Sequence, residues 1–156
     1  MKIRGHHLLC LLGFQGLGYS PKFVRRMEEI RTALEKGPLF SIKVVEEGDD
    51  ICSVCPYCQA GKCRKGKFSA KRTEAIDRKI IKALGLKKNQ VIKSSRVIPL
   101  IKEKLGTFPE LVKICGQCGW REVCTYYLDL RAVWRQESRN VGAGLHPRPR
   151  SAHDRL

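Results

Sequence analysis

The chain has 156 residues, 42% of them apolar and 29% charged, which fits one folded domain and excludes wholesale disorder. Its formal net charge of +16 predicts attraction to polyanions or acidic partners and says nothing about fold. No apolar run approaches the roughly 20 residues needed to cross a bilayer.

Residues His6 to Phe14 read as a short, mostly buried helix that ends in the glycines Gly13, Gly16 and Gly18. Ser20-Pro21 is a helix start, a serine N-cap with proline at the first helical position. Val24, Met27, Ile30 and Leu34 then recur at helical spacing until Gly37. Leu39 to Val45 suits a strand, with Phe40, Ile42 and Val44 on one face. Gly48-Asp49-Asp50 turns the chain into a first group of cysteines.

Ser69 opens a second long helix through Ile76, Ile80 and Leu84, ending at Gly85. Ser94 or Ser95 caps a third, with Val97, Leu100, Ile101 and Leu105 inside. Thr107-Phe108-Pro109-Glu110 has the pattern of a capping box and starts a short helix into Cys115. Tyr126, Leu130, Val133 and Trp134 suggest a last amphipathic helix. From Glu137 onward asparagine, glycine, proline and arginine predominate, the composition of a loose tail. The expected fold is mainly α with a small β component (α+β): a compact metal-binding domain over residues 1–136 and a flexible tail over 137–156.

The eight cysteines are Cys10, Cys52, Cys55, Cys58, Cys63, Cys115, Cys118 and Cys124. Disulfides would require secretion, and the start of the chain imitates a signal peptide only weakly. His6 and His7 lie against the apolar run, and no small-residue cleavage site follows. Leu9 is not the small residue that a lipoprotein anchor at Cys10 would need. The expectation is a cytoplasmic protein, in which thiols stay reduced and grouped cysteines indicate metal or catalysis.

Two groups stand out, Cys52-x2-Cys55-x2-Cys58-x4-Cys63 and Cys115-x2-Cys118-x5-Cys124. Two intervening residues let a tight turn aim both sulfurs at one metal while its amides donate to the thiolates. Zinc and iron–sulfur clusters both accept four thiolates. Three thiols at x2 intervals echo the ferredoxin run, although the fourth spacing and the position of Pro56 differ from it. The x4 and x5 spacings are looser than the paired ligands of a zinc ribbon. Ile51, Val54, Ile114 and Trp120 flank the sulfurs and could exclude water. An iron–sulfur cluster, 4Fe-4S in type, is favoured, with zinc as the alternative.

Several motifs occur in order: Arg4-Gly5-His6-His7-Leu8-Leu9-Cys10, Gly18-Tyr19-Ser20-Pro21, Asp50-Ile51-Cys52-Ser53-Val54-Cys55-Pro56, Gly61-Lys62-Cys63, Ala83-Leu84-Gly85-Leu86 and Ile114-Cys115-Gly116-Gln117-Cys118-Gly119-Trp120, up to Cys124. From about Met1 to Cys124 the chain resembles the domain of unknown function 1284 family of short bacterial and archaeal proteins. That family has no established activity and is suspected of iron–sulfur binding. The resemblance implies Cys10, Cys52, Cys55, Cys63, Cys115, Cys118 and Cys124 as family positions and Cys58 as a variable one. The segment beyond Cys124 departs from the family pattern.

The partition of the sulfurs stays open at this point. Cys52, Cys55, Cys58 and Cys63 make one site and Cys10 joins Cys115, Cys118 and Cys124 in another, or each group supplies three thiolates and one recruits Cys10. His6 and His7 lie four and three residues before Cys10, so either could share its metal from one helix face. The bland alternative makes Cys10 a small buried hydrophobe and the histidines core hydrogen-bonding groups.

Cys115-Gly116-Gln117-Cys118 resembles a thioredoxin dithiol, but the preceding segment reads as helical and a third cysteine follows. Gly13, Gly16 and Gly18 do not make a dinucleotide fingerprint, and no phosphate-binding loop or His-Glu-x-x-His motif occurs. Between Lys62 and Arg96, thirteen lysines and arginines face only Glu74 and Asp77. Phe68 is the single aromatic there, so a solvated face with weak, salt-sensitive nucleic-acid binding is expected rather than sequence recognition. The functional expectation is an iron–sulfur protein that transfers electrons or supports an acidic redox partner protein. The alternative is a zinc-stabilised module that binds nucleic acid or protein.

Overall fold

The computed structural model describes residues 1–143. Strand β1 (Lys2–Arg4) leads into helix α1 (Gly5–Cys10) and a 3-10 turn over Leu11–Gly13. Helix α2 is Pro21–Lys36, strand β2 is Ser41–Val45, and a hairpin of β3 (Cys58–Gln59) and β4 (Lys62–Cys63) follows. Then come α3 (Ser69–Ala83), β5 (Val91–Lys93), α4 (Ser94–Leu105), α5 (Phe108–Cys115) and α6 (Thr125–Ala143). This is the mainly α domain with a small β component that the sequence predicts.

Local signals explain only some of the helix starts. The Phe23 amide donates to Ser20 Oγ at 3.2 Å, so the serine cap forms as expected. The capping box does not: Thr107 is the N-cap of α5, but its side chain accepts no capping hydrogen bond. Ser94 is the first residue of α4 rather than its cap. Its buried hydroxyl instead accepts the Phe40 amide at 3.2 Å, tying α4 to the chain just before β2. Helix α6 runs past Glu137 to Ala143, where composition suggested a tail. The remaining tail residues, 144–156, lie outside the described residues.

The three-stranded sheet has the order β1-β2-β5. Ile3 pairs in parallel with Val44, and Ile42 pairs antiparallel with Ile92. Ile3, Ile42 and Val44 are fully buried, and with Met27, Ile30, Ile80, Val97, Ile101 and Leu105 they form one core. Burial of such side chains contributes roughly 1.5–3 kcal/mol each before chain entropy is counted. Among the described residues no helix is long and apolar enough to cross a membrane.

Helix α1 docks on α3 at very short range. A Cβ on Gly5 would stand 2.6 Å from the Asp77 carbonyl oxygen, so only glycine permits this approach. The contact brings the first residues of the chain against the buried face of α3, and the polar part of the site depends on it.

Candidate metal centre

The polar part begins with Arg4, whose side chain is 2% exposed, and Asp77, which is sealed. Arg4 Nε and Nη2 donate to Asp77 Oδ2 at 2.8 and 2.6 Å. Asp77 Oδ1 accepts the His6 amide at 2.8 Å and stands 2.7 Å from His6 Nδ1. These partners hold the Asp77 carboxyl below the usual carboxylate range although burial alone would raise it.

A second carboxylate serves His7. Asp49 Oδ2 stands 2.8 Å from His7 Nδ1 and accepts the Arg4 amide at 2.8 Å. Its Oδ1 accepts the amides of Ile51 and Cys52 at 3.1 and 2.8 Å. Burial opposes ionisation of Asp49, but His7 and the backbone donors outweigh it and hold the carboxyl far below its ordinary range. The turn expected at Gly48-Asp49-Asp50 thus carries a structural anion.

Four cysteines converge beside this network. Cys10 ends α1, Cys115 ends α5, Cys118 lies in the following turn, and Cys124 immediately precedes α6. All four line one cavity of about 140 Å³, together with His6, His7, Phe14, Tyr19, Phe23 and Trp120. Burial pushes the Cys10 thiol well up, and Cys118, Cys115 and Cys124 add to the shift. Cys115 is pushed up to about 12 by burial, then by Cys118 and Cys124. Burial also raises Cys124, while the amides of Tyr127 and Tyr126 donate to its sulfur and oppose the shift. The Trp120 amide donates to Cys118 Sγ at 3.4 Å. A Cβ on Gly13 would collide with Cys124 Sγ, so the turn after α1 is shaped to admit that sulfur. Cys10, Cys115 and Cys124, all pushed up, share the cavity with Cys118, and such a set of sulfurs suits a positive metal, which deprotonates its sulfur ligands outright.

The other four cysteines divide. Cys58 and Cys63 are paired across β3 and β4, joined by a turn in which Ala60 and Gly61 have φ of 47° and 73°, a two-residue connection of the hairpin-forming kind. Cys55 feels both: burial raises its pKa first, Cys63 and Cys58 add to the shift, and the amides of Tyr57 and Cys58 donate to its sulfur. Cys58, the variable position of the resemblance, therefore stands with Cys55 and Cys63.

Cys52 faces elsewhere. Arg4 Nη1 donates to its sulfur at 3.6 Å, and burial followed by the Asp49 charge pushes its thiol up to about 12. The ligand atoms of His7, Asp49 and Cys52 lie within 4.8 Å of one another, a group able to hold a metal ion. All four acceptor directions of Asp49 are already taken by hydrogen-bond donors, so an ion there would have to displace them.

Sequence reasoning missed Arg4, Asp49, Asp77 and Tyr19. Tyr19 OH accepts from Trp120 Nε1 at 3.2 Å, and its ring packs edge-on against Tyr57 and Trp120 at 5.3 and 5.6 Å between centroids. Tyr57 lies within the Cys55–Cys58 turn and Trp120 within the Cys118–Cys124 loop, so Tyr19 touches both sulfur groups' supporting chain. The motifs Arg4 to Cys10 and Gly18 to Pro21 were the available signal, without indicating what each residue does. The lysines and arginines between Lys62 and Arg96 are all exposed, while Asp77, one of the two opposing acids, is buried.

Comparison with curated proteins and with solved structures finds no match. The family model described as protein of unknown function (DUF1284) matches residues 18–124, a span that includes seven of the eight cysteines and leaves out the Arg4–Cys10 segment. The chain belongs to the DUF1284 family.

Proposed function

We propose that the protein binds an iron–sulfur cluster through Cys10, Cys115, Cys118 and Cys124 and exchanges electrons with a partner. The observation that carries this reading is the convergence of four thiols on one cavity. Cys10, Cys115, Cys118 and Cys124 come from separate parts of the chain and line it together with Phe14, Phe23 and Trp120, which gives the four thiolates and the apolar surround that such a cluster takes. Amides directed at Cys118 and Cys124 would stabilise thiolate charge and tune the potential, and the aromatic wall would keep water away.

A bound cluster would supply one-electron redox chemistry. The chain's own residues would hold it by four thiolates, limit its hydration through Phe14, Phe23 and Trp120, and present a basic surface to an acidic redox partner. A second reading, a zinc-stabilised module, is favoured at one place only. The Cys55-x2-Cys58 turn followed by a hairpin that returns Cys63 is the form of half a zinc ribbon. The two readings can hold at different sites.

Iron, acid-labile sulfide and zinc should be measured on protein purified without oxygen. The cluster reading expects iron and sulfide in stoichiometric amounts, brown colour bleached by dithionite, and loss of that colour in Cys118→Ser. Stoichiometric zinc without labile sulfide would remove it and promote the zinc module.

A further inference from the structure

The four cavity thiols leave His6 and His7 unaccounted for. Both rings line the same cavity, and each has its Nδ1 fixed by a carboxylate, Asp77 for His6 and Asp49 for His7. With Nδ1–H donated to an anion, a neutral imidazole carries its lone pair on Nε2. No side-chain hydrogen bond among the described residues engages either Nε2. His7 is only 7% exposed, yet among the described residues no sealed side-chain nitrogen lacks a partner. Its Nε2 therefore keeps its remaining access through the cavity.

We infer that His6 and His7 form a separate metal site, taking one first-row divalent ion such as Zn²⁺ or Fe²⁺ at their two Nε2 atoms. A carboxylate on the far nitrogen is the usual support of a metal-bound histidine, fixing tautomer and ring orientation and raising basicity. Imidazole nitrogen suits this class of ion and not Mg²⁺ or Ca²⁺.

Ring separation agrees. With a metal–nitrogen bond near 2.1 Å, each ring centroid sits about 3.2 Å from the ion, so two rings stand about 4.5 Å apart at right angles and about 5.2 Å apart at the tetrahedral angle. The observed separation is 4.3 Å, close to the right-angled case. Two protein ligands leave further coordination positions directed into the cavity, where water or a substrate atom could bind beside the thiols. Such open coordination differs from a structural zinc site, in which four protein ligands close the sphere.

The inference does not depend on the cluster, and one experiment separates the two. Protein prepared without oxygen is stripped of loosely held metal and titrated with Zn²⁺. Iron, sulfide and bound zinc are measured, and the zinc X-ray absorption spectrum is recorded. The expected result is outer-shell scattering from two imidazoles. His6→Gln and His7→Gln should each lose one equivalent of zinc and that scattering while keeping iron and sulfide, with a lower melting temperature because Asp77 or Asp49 loses a buried partner. Zinc with sulfur neighbours only, the same in wild type and variants, would overturn the site. Loss of iron and sulfide in the histidine variants would also overturn it, because the histidines would then be cluster ligands. Imidazole-bound zinc in protein lacking iron and sulfide would keep this site and defeat the cluster.

Discussion

The Arg4 guanidinium and the Asp77 carboxylate meet at 2.6 Å with both side chains closed to solvent, linking the first strand to the middle of α3. Removing one partner of a sealed pair strands the other charge, at a cost of about 3–5 kcal/mol. Asp77→Ala should therefore lower unfolding free energy by that order in urea titrations. The double variant Arg4→Met with Asp77→Leu should recover part of the loss, since it leaves neither charge behind. A single-variant effect near zero would mean that the pair is not closed in solution.

Gly13 offers a test of the cavity that leaves every sulfur in place. A methyl group at this position runs into Cys124 Sγ, so Gly13→Ala should lose most of the metal bound by the Cys10 group. Gly119 has no atom near its missing Cβ, and Gly119→Ala should retain full metal content. Equal metal content in both, by elemental analysis, would show that Cys124 is not held where the turn admits it.

The sulfurs should separate by variant. Cys118→Ser should empty the cavity site and spare the hairpin, whereas Cys58→Ser should disturb only the hairpin site. Cys52→Ser should leave both metals in place, because its sulfur faces Arg4 rather than either group. Thermal stability should fall with the metal in the first two cases, since binding and folding are coupled. Loss of metal in Cys52→Ser would place it back among the ligands.

The exposed lysines and arginines between Lys62 and Arg96 should bind heparin or nucleic acid at low salt and release it near physiological ionic strength. Reversing the charge at Lys67, Lys71 and Arg72, all exposed, should flatten the slope of affinity against salt without changing metal content. Filter binding across a salt series checks both. Tight binding to one sequence at physiological salt would make recognition of nucleic acid the primary role.

What could be read from the sequence was local. Ser20-Pro21 starts α2 because a cap needs only its next three residues. The sheet was partly hidden, since β1 and β5 have three residues each and take their register from the distant β2. The proximity of Cys10 to Cys115, Cys118 and Cys124 was one option among several, as it depends on how α1 docks. Asp77 looked like one of two acids opposing a basic stretch. Only the close approach at Gly5 turns it toward Arg4 and His6.

The cavity sulfurs also set an order of events during synthesis. Cys55, Cys58 and Cys63 leave the ribosome almost together and can close around an ion before Cys115, Cys118 and Cys124 have emerged. Cys10 must wait for α5 and the loop to Cys124, because domains assemble only as their segments emerge. Closing so long a loop costs about 2–3 kcal/mol more in entropy than closing the hairpin group, so this site is both later and entropically harder to close. A cluster at this site would therefore be inserted only once α5 and the loop to Cys124 have emerged. Until then Cys10 stays open to oxidation and to the wrong metal while its partner sulfurs are still to come.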